Sequence, residues 1–171
     1  MQKLAAEIHA LCYLSGTFTL RSGRQANTYF DKYRFEARPE LLAEIAREMV
    51  TLIPRQAEVL AGLELGGIPI ATMLSHYSGI PTAFVRKAAK QYGTARLCEG
   101  AAVSGKQVLL VEDVVTTGGQ IGSSAADLRK LGAAISHALC VIDRGEGGAE
   151  NLAGNGIVLI SLFDAGDFRP A

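Results

Sequence analysis

The sequence predicts an α/β fold whose central, mainly parallel sheet is flanked by helices. Three observations carry that reading. From residue 39 onward, short β-type apolar runs alternate with segments of helical period, the order expected of successive βα units. The run Val108-Leu109-Leu110-Val111 has no polar face, which suits a strand covered on both sides. Pro39, Pro54, Pro69 and Gly132 fall at segment ends, where they start or stop helices without breaking them.

Leu4, Ile8, Leu11 and Cys12 recur at helical spacing and predict an amino-terminal helix, with Gly16 as its stop. Thr17-Phe18-Thr19-Leu20 and Thr28-Tyr29-Phe30-Asp31 are β-rich runs separated by Ser22-Gly23-Arg24, an irregular hairpin ahead of the main sheet that is placed to cover a site. Leu42, Ile45, Met49 and Leu52 mark a helix from Pro39 that ends before Pro54. Val59 to Gly62 reads as a strand, Gly67 to Ser78 as a helix, and Thr82 to Arg86 as a strand. No periodicity is visible between Lys87 and Gly105, and a loop of that length is usually functional or mobile. Val108 to Glu112, a helix from Gln120 to Leu131, and strands at Ile135 to Ile142 and Ile157 to Phe163 complete the chain.

With 171 residues and 49% hydrophobic content, the chain is long enough for one substantial core and short for two, so residues 1–171 read as one domain. Its 17 basic and 17 acidic residues cancel, leaving no overall field for nucleic acid or an anionic membrane. No apolar run approaches the roughly 20 residues needed to span a bilayer. Glu7 interrupts the region where a signal peptide would be apolar, so the expected location is cytoplasmic. Cys12, Cys98 and Cys140 lack metal-ligand spacing, and their odd number suits a reducing compartment. His9, His76 and His137 stand beside neither a nucleophile-plus-acid pattern nor a second ligand, and read as structural. The dinucleotide and P-loop glycine patterns are both absent.

The most informative stretch is Val108 to Gln120. An apolar strand runs into Glu112 and Asp113, then into Thr116-Thr117-Gly118-Gly119 at the start of a helix. The carboxyl ends of parallel strands are where α/β sheets bind ligands. Adjacent carboxylates there can accept hydrogen bonds from vicinal hydroxyls such as those of ribose. The glycines let backbone N–H groups approach an anion at a helix N-terminus. The combination points to a phosphorylated sugar.

This order resembles the phosphoribosyl pyrophosphate (PRPP) signature of the type I phosphoribosyltransferases. The resemblance implies that fold, with a small amino-terminal hood over about residues 1–35 and a flexible catalytic loop over 87–105. It implies that Glu112 and Asp113 hold the ribose hydroxyls, while Val114, Val115, Thr116, Thr117, Gly118, Gly119 and Gln120 cradle the 5′-phosphate. Arg86-Lys87, Lys90 and Tyr92-Gly93 are similar to the catalytic loop of the orotate phosphoribosyltransferases, dimers whose loop closes over the neighbour's site. Phe18-Thr-Leu-Arg21-Ser-Gly23 resembles that subfamily's opening motif, with Arg21 in place of the commoner Lys, and Asp143-Arg144 resembles its orotate-binding element. Arg21, Arg144 and Thr116 would therefore face the base. Glu64-Leu65-Gly66-Gly67 matches the loop that holds pyrophosphate. Many relatives carry Lys where this chain has Gly66, and many orotate enzymes carry His where it has Tyr92.

The implied reaction moves ribose 5-phosphate from PRPP to orotate, giving orotidine 5′-phosphate and diphosphate on the route to UMP, with Mg2+ bound mainly through PRPP. Lys90, Arg86 and Lys87 would offset charge on the departing diphosphate, and Asp113 completes the implied catalytic set. The implied partners are PRPP, orotate and a second copy of the chain. The acidic motif alone does not choose the acceptor, so a purine or uracil enzyme remains as an alternative, as does a regulator that binds PRPP without turnover. An anionic base needs cationic partners, which makes Arg21 and Arg144 the discriminating residues.

Overall fold

The computed structural model describes residues 1–19, 23–87 and 97–168. Helix α1 (Gln2–Cys12) leads directly into a two-stranded antiparallel sheet, β1 (Tyr13–Thr19) and β2 (Gln25–Phe30). Then come α2 (Tyr33–Glu36), α3 (Pro39–Val50), β3 (Val59–Leu63), α4 (Gly67–Ser78), β4 (Thr82–Val85) and β5 (Cys98–Gly100). The chain continues through β6 (Gln107–Val115), α5 (Gly119–Lys130), β7 (Ala134–Asp143), α6 (Gly148–Ala153) and β8 (Val158–Asp164). The six-stranded sheet has the order β5-β4-β3-β6-β7-β8 and is parallel except at the β4–β5 edge.

Each central strand is apolar on both faces because each face meets a different core. Leu109 and Val111 of β6 pack with Ile45 and Met49 of α3 and Ile70 and Leu74 of α4. Val108 and Leu110 point the other way, toward Ile121, Ala125 and Leu128 of α5. Cys12 and Cys140 are buried in these cores, and burial pushes the Cys12 thiol up to about 11, so neither is a ready nucleophile. An aromatic chain ties the two-stranded sheet to the end of β8: Phe30 and Phe163 each meet Phe168 edge-on, at 6.2 and 5.6 Å. Among the described residues no helix is long and apolar enough to cross a membrane.

The elements depart from the sequence reading in four places. Helix α1 stops at Cys12 instead of reaching Gly16, because Tyr13 turns extended and pairs with Phe30. The aperiodic stretch 87–105 contains β5, a three-residue antiparallel edge strand too short to show a period. Strand β6 runs to Val115 instead of ending at Glu112, so Asp113 also lies within it. The short helices α2 and α6 have too few turns for a recognisable apolar stripe.

Strand order reverses direction between β3 and β6: from β3 the chain builds outward to β4, and from β6 it builds the opposite way to β7. Register places Gly62 of β3 beside Val111 of β6, and Val115 beside Asp143 of β7. The loops leaving β3, β6 and β7 therefore meet at the topological switch point, where open α/β sheets bind ligands.

Candidate active site

Asp113 lies at the centre of this meeting point and is completely buried, while Glu112 is 8% exposed. The Val114 N–H donates to Asp113 Oδ1 at 2.6 Å, and the Asp113 N–H donates to Glu112 Oε1 at 3.1 Å. Lys32 Nζ stands 2.6 Å from Asp113 Oδ2 in an ion pair. Glu36, on α2, brings a third carboxyl group to the cluster, and its Oε1 is buried without a donor. One ammonium cannot hold three crowded carboxylates ionised when two of them are buried. Burial, followed by the neighbouring Asp113, pushes Glu36 up to about 9, and the same two causes push Glu112 up to about 9. Burial acts to raise Asp113 as well, but hydrogen bonds from Glu112 and Glu36 and the Lys32 charge outweigh it and hold Asp113 below the usual carboxylate range.

The cluster explains Gly66. A Cβ there would overlap the Asp113 carboxylate and stand 2.7 Å from Glu36 Oε1, so a side chain fits only if those carboxyls leave their places. The ammonium beside this cluster comes from Lys32. Neither Lys32 nor Glu36 was visible as a site residue in the sequence. One follows a β-run and the other sits in a four-residue helix, so nothing in their spacing marks them.

Around the cluster, the predicted loops converge. The Lys87 N–H donates to Glu64 Oε2 at 3.0 Å, joining the end of β4 to the Glu64–Gly67 loop and committing the Glu64 charge. Arg86 Nε is buried and finds no partner among the described residues, a donor left open to an anion. Thr116 to Gly119 turn from β6 into α5 through Gly118, whose φ is +73° and whose missing Cβ would stand 2.9 Å from Leu152 Cγ. Asn151 Nδ2 on α6 donates to the Thr117 carbonyl at 3.1 Å and steadies that turn. A cavity of about 390 Å³ opens beside it, lined by Thr117, Gly118, Gly119, Ser123 and Asn155 among others.

The Arg144 N–H donates to the Val115 carbonyl at 2.9 Å, which sets this residue next to the end of β6. Its guanidinium lies 5.8 Å from the centre of the Phe30 ring, between the two-stranded sheet and the main sheet. The structure thus brings together Arg86, Lys87, Glu64 to Gly67, Glu112 to Gln120 and Arg144. Arg21, Lys90 and Tyr92 lie outside the described residues.

The raised carboxyl on α2 makes a stability prediction. A carboxyl protonated in the folded state but ionised in the unfolded chain destabilises the fold as pH rises between the two values. Thermal stability should therefore fall between pH 6 and 9, with a shallower fall in Glu36→Gln. The difference in slope should stay below the one-proton limit of about 1.4 kcal/mol per pH unit, because Glu36 is only half-buried and water screens it. Melting curves at several pH values check this, and parallel slopes in the two proteins would contradict a protonated Glu36.

Comparison with known proteins agrees with this geometry. Residues 33–158 match the phosphoribosyl transferase domain. The orotate phosphoribosyltransferase of Nocardioides sp. is 54% identical over 90% of this chain and 86% of its own length. That of Methanocella arvoryzae is 44% identical over 89% and 87%. The crystal structure of Mycobacterium tuberculosis orotate phosphoribosyltransferase in complex with Fe(III) dicitrate has a TM-score of 0.89 at 34% identity, covering 99% of this chain and 98% of that one. The same enzyme in complex with PRPP superposes with a TM-score of 0.83 at 31% identity, over 98% and 97%. The chain belongs to the orotate phosphoribosyltransferases, within the phosphoribosyl transferase domain family.

Proposed function

We propose that this chain carries out its family's reaction, transfer of ribose 5-phosphate from PRPP to a ring nitrogen of orotate, with the residues gathered at the switch point. The carrying observation is the convergence there of a buried anion, Asp113, an open cationic donor on Arg86, and Arg144 held beside the end of β6. Asp113 receives ribose hydroxyl hydrogen bonds, with Glu112 beside it. Backbone N–H groups from Thr116 to Gln120 hold the 5′-phosphate at the start of α5. Arg86, Lys87 and the Glu64–Gly67 backbone face the diphosphate, joined by Lys90. Arg144 and Thr116 face the base, joined by Arg21 from the hood.

Departure of diphosphate leaves positive charge on the sugar and gathers negative charge on the leaving oxygens. The reaction asks the protein for no nucleophile, and its task is to stabilise the separating charges. Among the described residues no three His, Cys, Asp or Glu side chains converge as a metal site. The donor set fits a Mg2+ carried on diphosphate oxygens and water, with the Glu64–Gly67 loop beside it. Bound there, the ion offsets charge on the leaving group. The working form is a homodimer, with the catalytic loop that carries Lys90 serving the neighbouring site. The free thiols of Cys12, Cys98 and Cys140 suit the cytoplasm.

Loss of orotate absorbance, with PRPP and Mg2+ present and adenine, hypoxanthine, guanine and uracil in parallel, tests the acceptor. Orotate alone should be consumed. Arg144→Ala should raise the KM for orotate at least about tenfold, the cost of a lost charge-assisted contact, and leave the KM for PRPP near the parental value. Equal losses for both substrates would remove Arg144 from the base site, and turnover of another base would discard the orotate assignment.

A further inference from the structure

We infer that Lys32 is a positioning residue for this reaction: its ammonium orients the Asp113 carboxylate and selects it as the anionic member of the buried cluster. The inference rests on the reading of Asp113 as the ribose-hydroxyl acceptor, and it assigns work to a residue outside every motif that identifies the site.

Lys32 caps the start of α2, on the chain just after β2, and reaches across to β6. Its Nζ meets Asp113 Oδ2 at 2.6 Å, while the other carboxylate oxygen, Oδ1, takes the Val114 N–H at 2.6 Å. Oδ1 is therefore held by a backbone N–H, and Oδ2, buried without a hydrogen bond of regular geometry, is held by the Lys32 charge alone. Among the described residues the groups facing Asp113 are few. Glu36 approaches from α2 and Glu112 from the same strand, Glu64 from the β3–α4 loop is committed to the Lys87 N–H, and Gly66 contributes no side chain. Lys32 is the ammonium that the ionised state of Asp113 depends on.

Without it, a proton held by Glu36 or Glu112 can pass to Asp113. A protonated carboxyl loses an acceptor oxygen and becomes a donor itself, so the ribose hydroxyls meet the wrong partner. Raising the pH past about 9, where Glu36 and Glu112 give up their protons, removes that proton and restores the acceptor. The defect caused by losing Lys32 should therefore be large at low pH and shrink at high pH, a signature that general loosening of the fold does not give.

The test is kcat/KM for PRPP between about pH 6 and 10 in the parent, Lys32→Met, Lys32→Arg and Asp113→Asn, with melting temperatures alongside. Lys32→Met should lose at least about tenfold at pH 6.5 and recover most of it only by about pH 10, an upward move of the acidic limb. Lys32→Arg, which keeps the charge, should retain the parental limb. A Lys32→Met profile parallel to the parent would overturn the inference. Should Lys32→Met fail to fold, Lys32→Gln carries the same comparison. The two readings separate cleanly: an active Asp113→Asn would overturn the role of Asp113 itself, whereas an impaired Asp113→Asn beside an unshifted Lys32 variant would overturn only the role of Lys32.

Discussion

Asp113→Asn is expected to lower kcat/KM for PRPP by about 30- to 1000-fold while leaving the KM for orotate within a few fold of the parent. A charge-assisted hydrogen bond to a substrate hydroxyl in a site closed to water accounts for about 2 to 4 kcal/mol, which converts to that range. The amide also turns an NH2 group or a weaker carbonyl toward the Lys32 ammonium, and the cluster's negative charge passes to Glu36 or Glu112. Glu112→Gln is the informative companion. Burial and the adjacent Asp113 keep Glu112 protonated, so a neutral isostere changes its charge little, and its loss should stay below about tenfold. Steady-state kinetics on the two variants rank the acids. Equal losses would mean that both are ionised in the working enzyme, and an Asp113→Asn within threefold of the parent would remove it from the ribose site.

The difference between these two neighbours could not have been read from the sequence, and the reason is geometric. Glu112-Asp113 followed by Thr-Thr-Gly-Gly announces its chemistry because the parts are contiguous: strand, acids and phosphate turn follow one another, and local order is what a sequence displays. The sheet was legible for a similar reason, since Val108 to Val111 and the helix periods after it need only their own neighbours to be recognised. Lys32 and Glu36 reach the site through the turn between β2 and α3, about 80 residues away in the chain, and no periodicity encodes that approach. Strand β5 escaped for another reason, since three residues paired on one edge carry too little pattern to see. The departure at Gly66 was legible as an oddity, and its cause lies in which side chains fill the space above it.

Adjacent glycines in the Glu64–Gly67 loop are expected to fail in opposite ways when given a methyl group. At Gly67 the new Cβ would overlap the Val111 carbonyl and stand 3.1 Å from Val111 C and 3.3 Å from Glu112 Cα. All three belong to the backbone of β6, which is hydrogen-bonded on both sides and has nowhere to go. The start of α4 must then lift away from the sheet, at a cost of about 3 kcal/mol or more, and Gly67→Ala should melt roughly 6 to 12 °C below the parent or fail to fold. At Gly66 the obstacles are the ends of two side chains, Asp113 and Glu36, which can swing aside. Gly66→Ala should therefore fold, with a melting temperature within a few degrees of the parent, yet lose about a hundredfold in kcat/KM for PRPP because the Asp113 carboxylate leaves its place opposite Lys32. Thermal melts and kinetics on the pair decide the matter. A stable and fully active Gly66→Ala would mean that the carboxylate position matters little for turnover, whereas a stable Gly67→Ala would mean that the contact between α4 and β6 is looser than the structure places it. The expected split, one glycine needed for folding and its neighbour for the placement of an acid, follows from what each missing Cβ would touch.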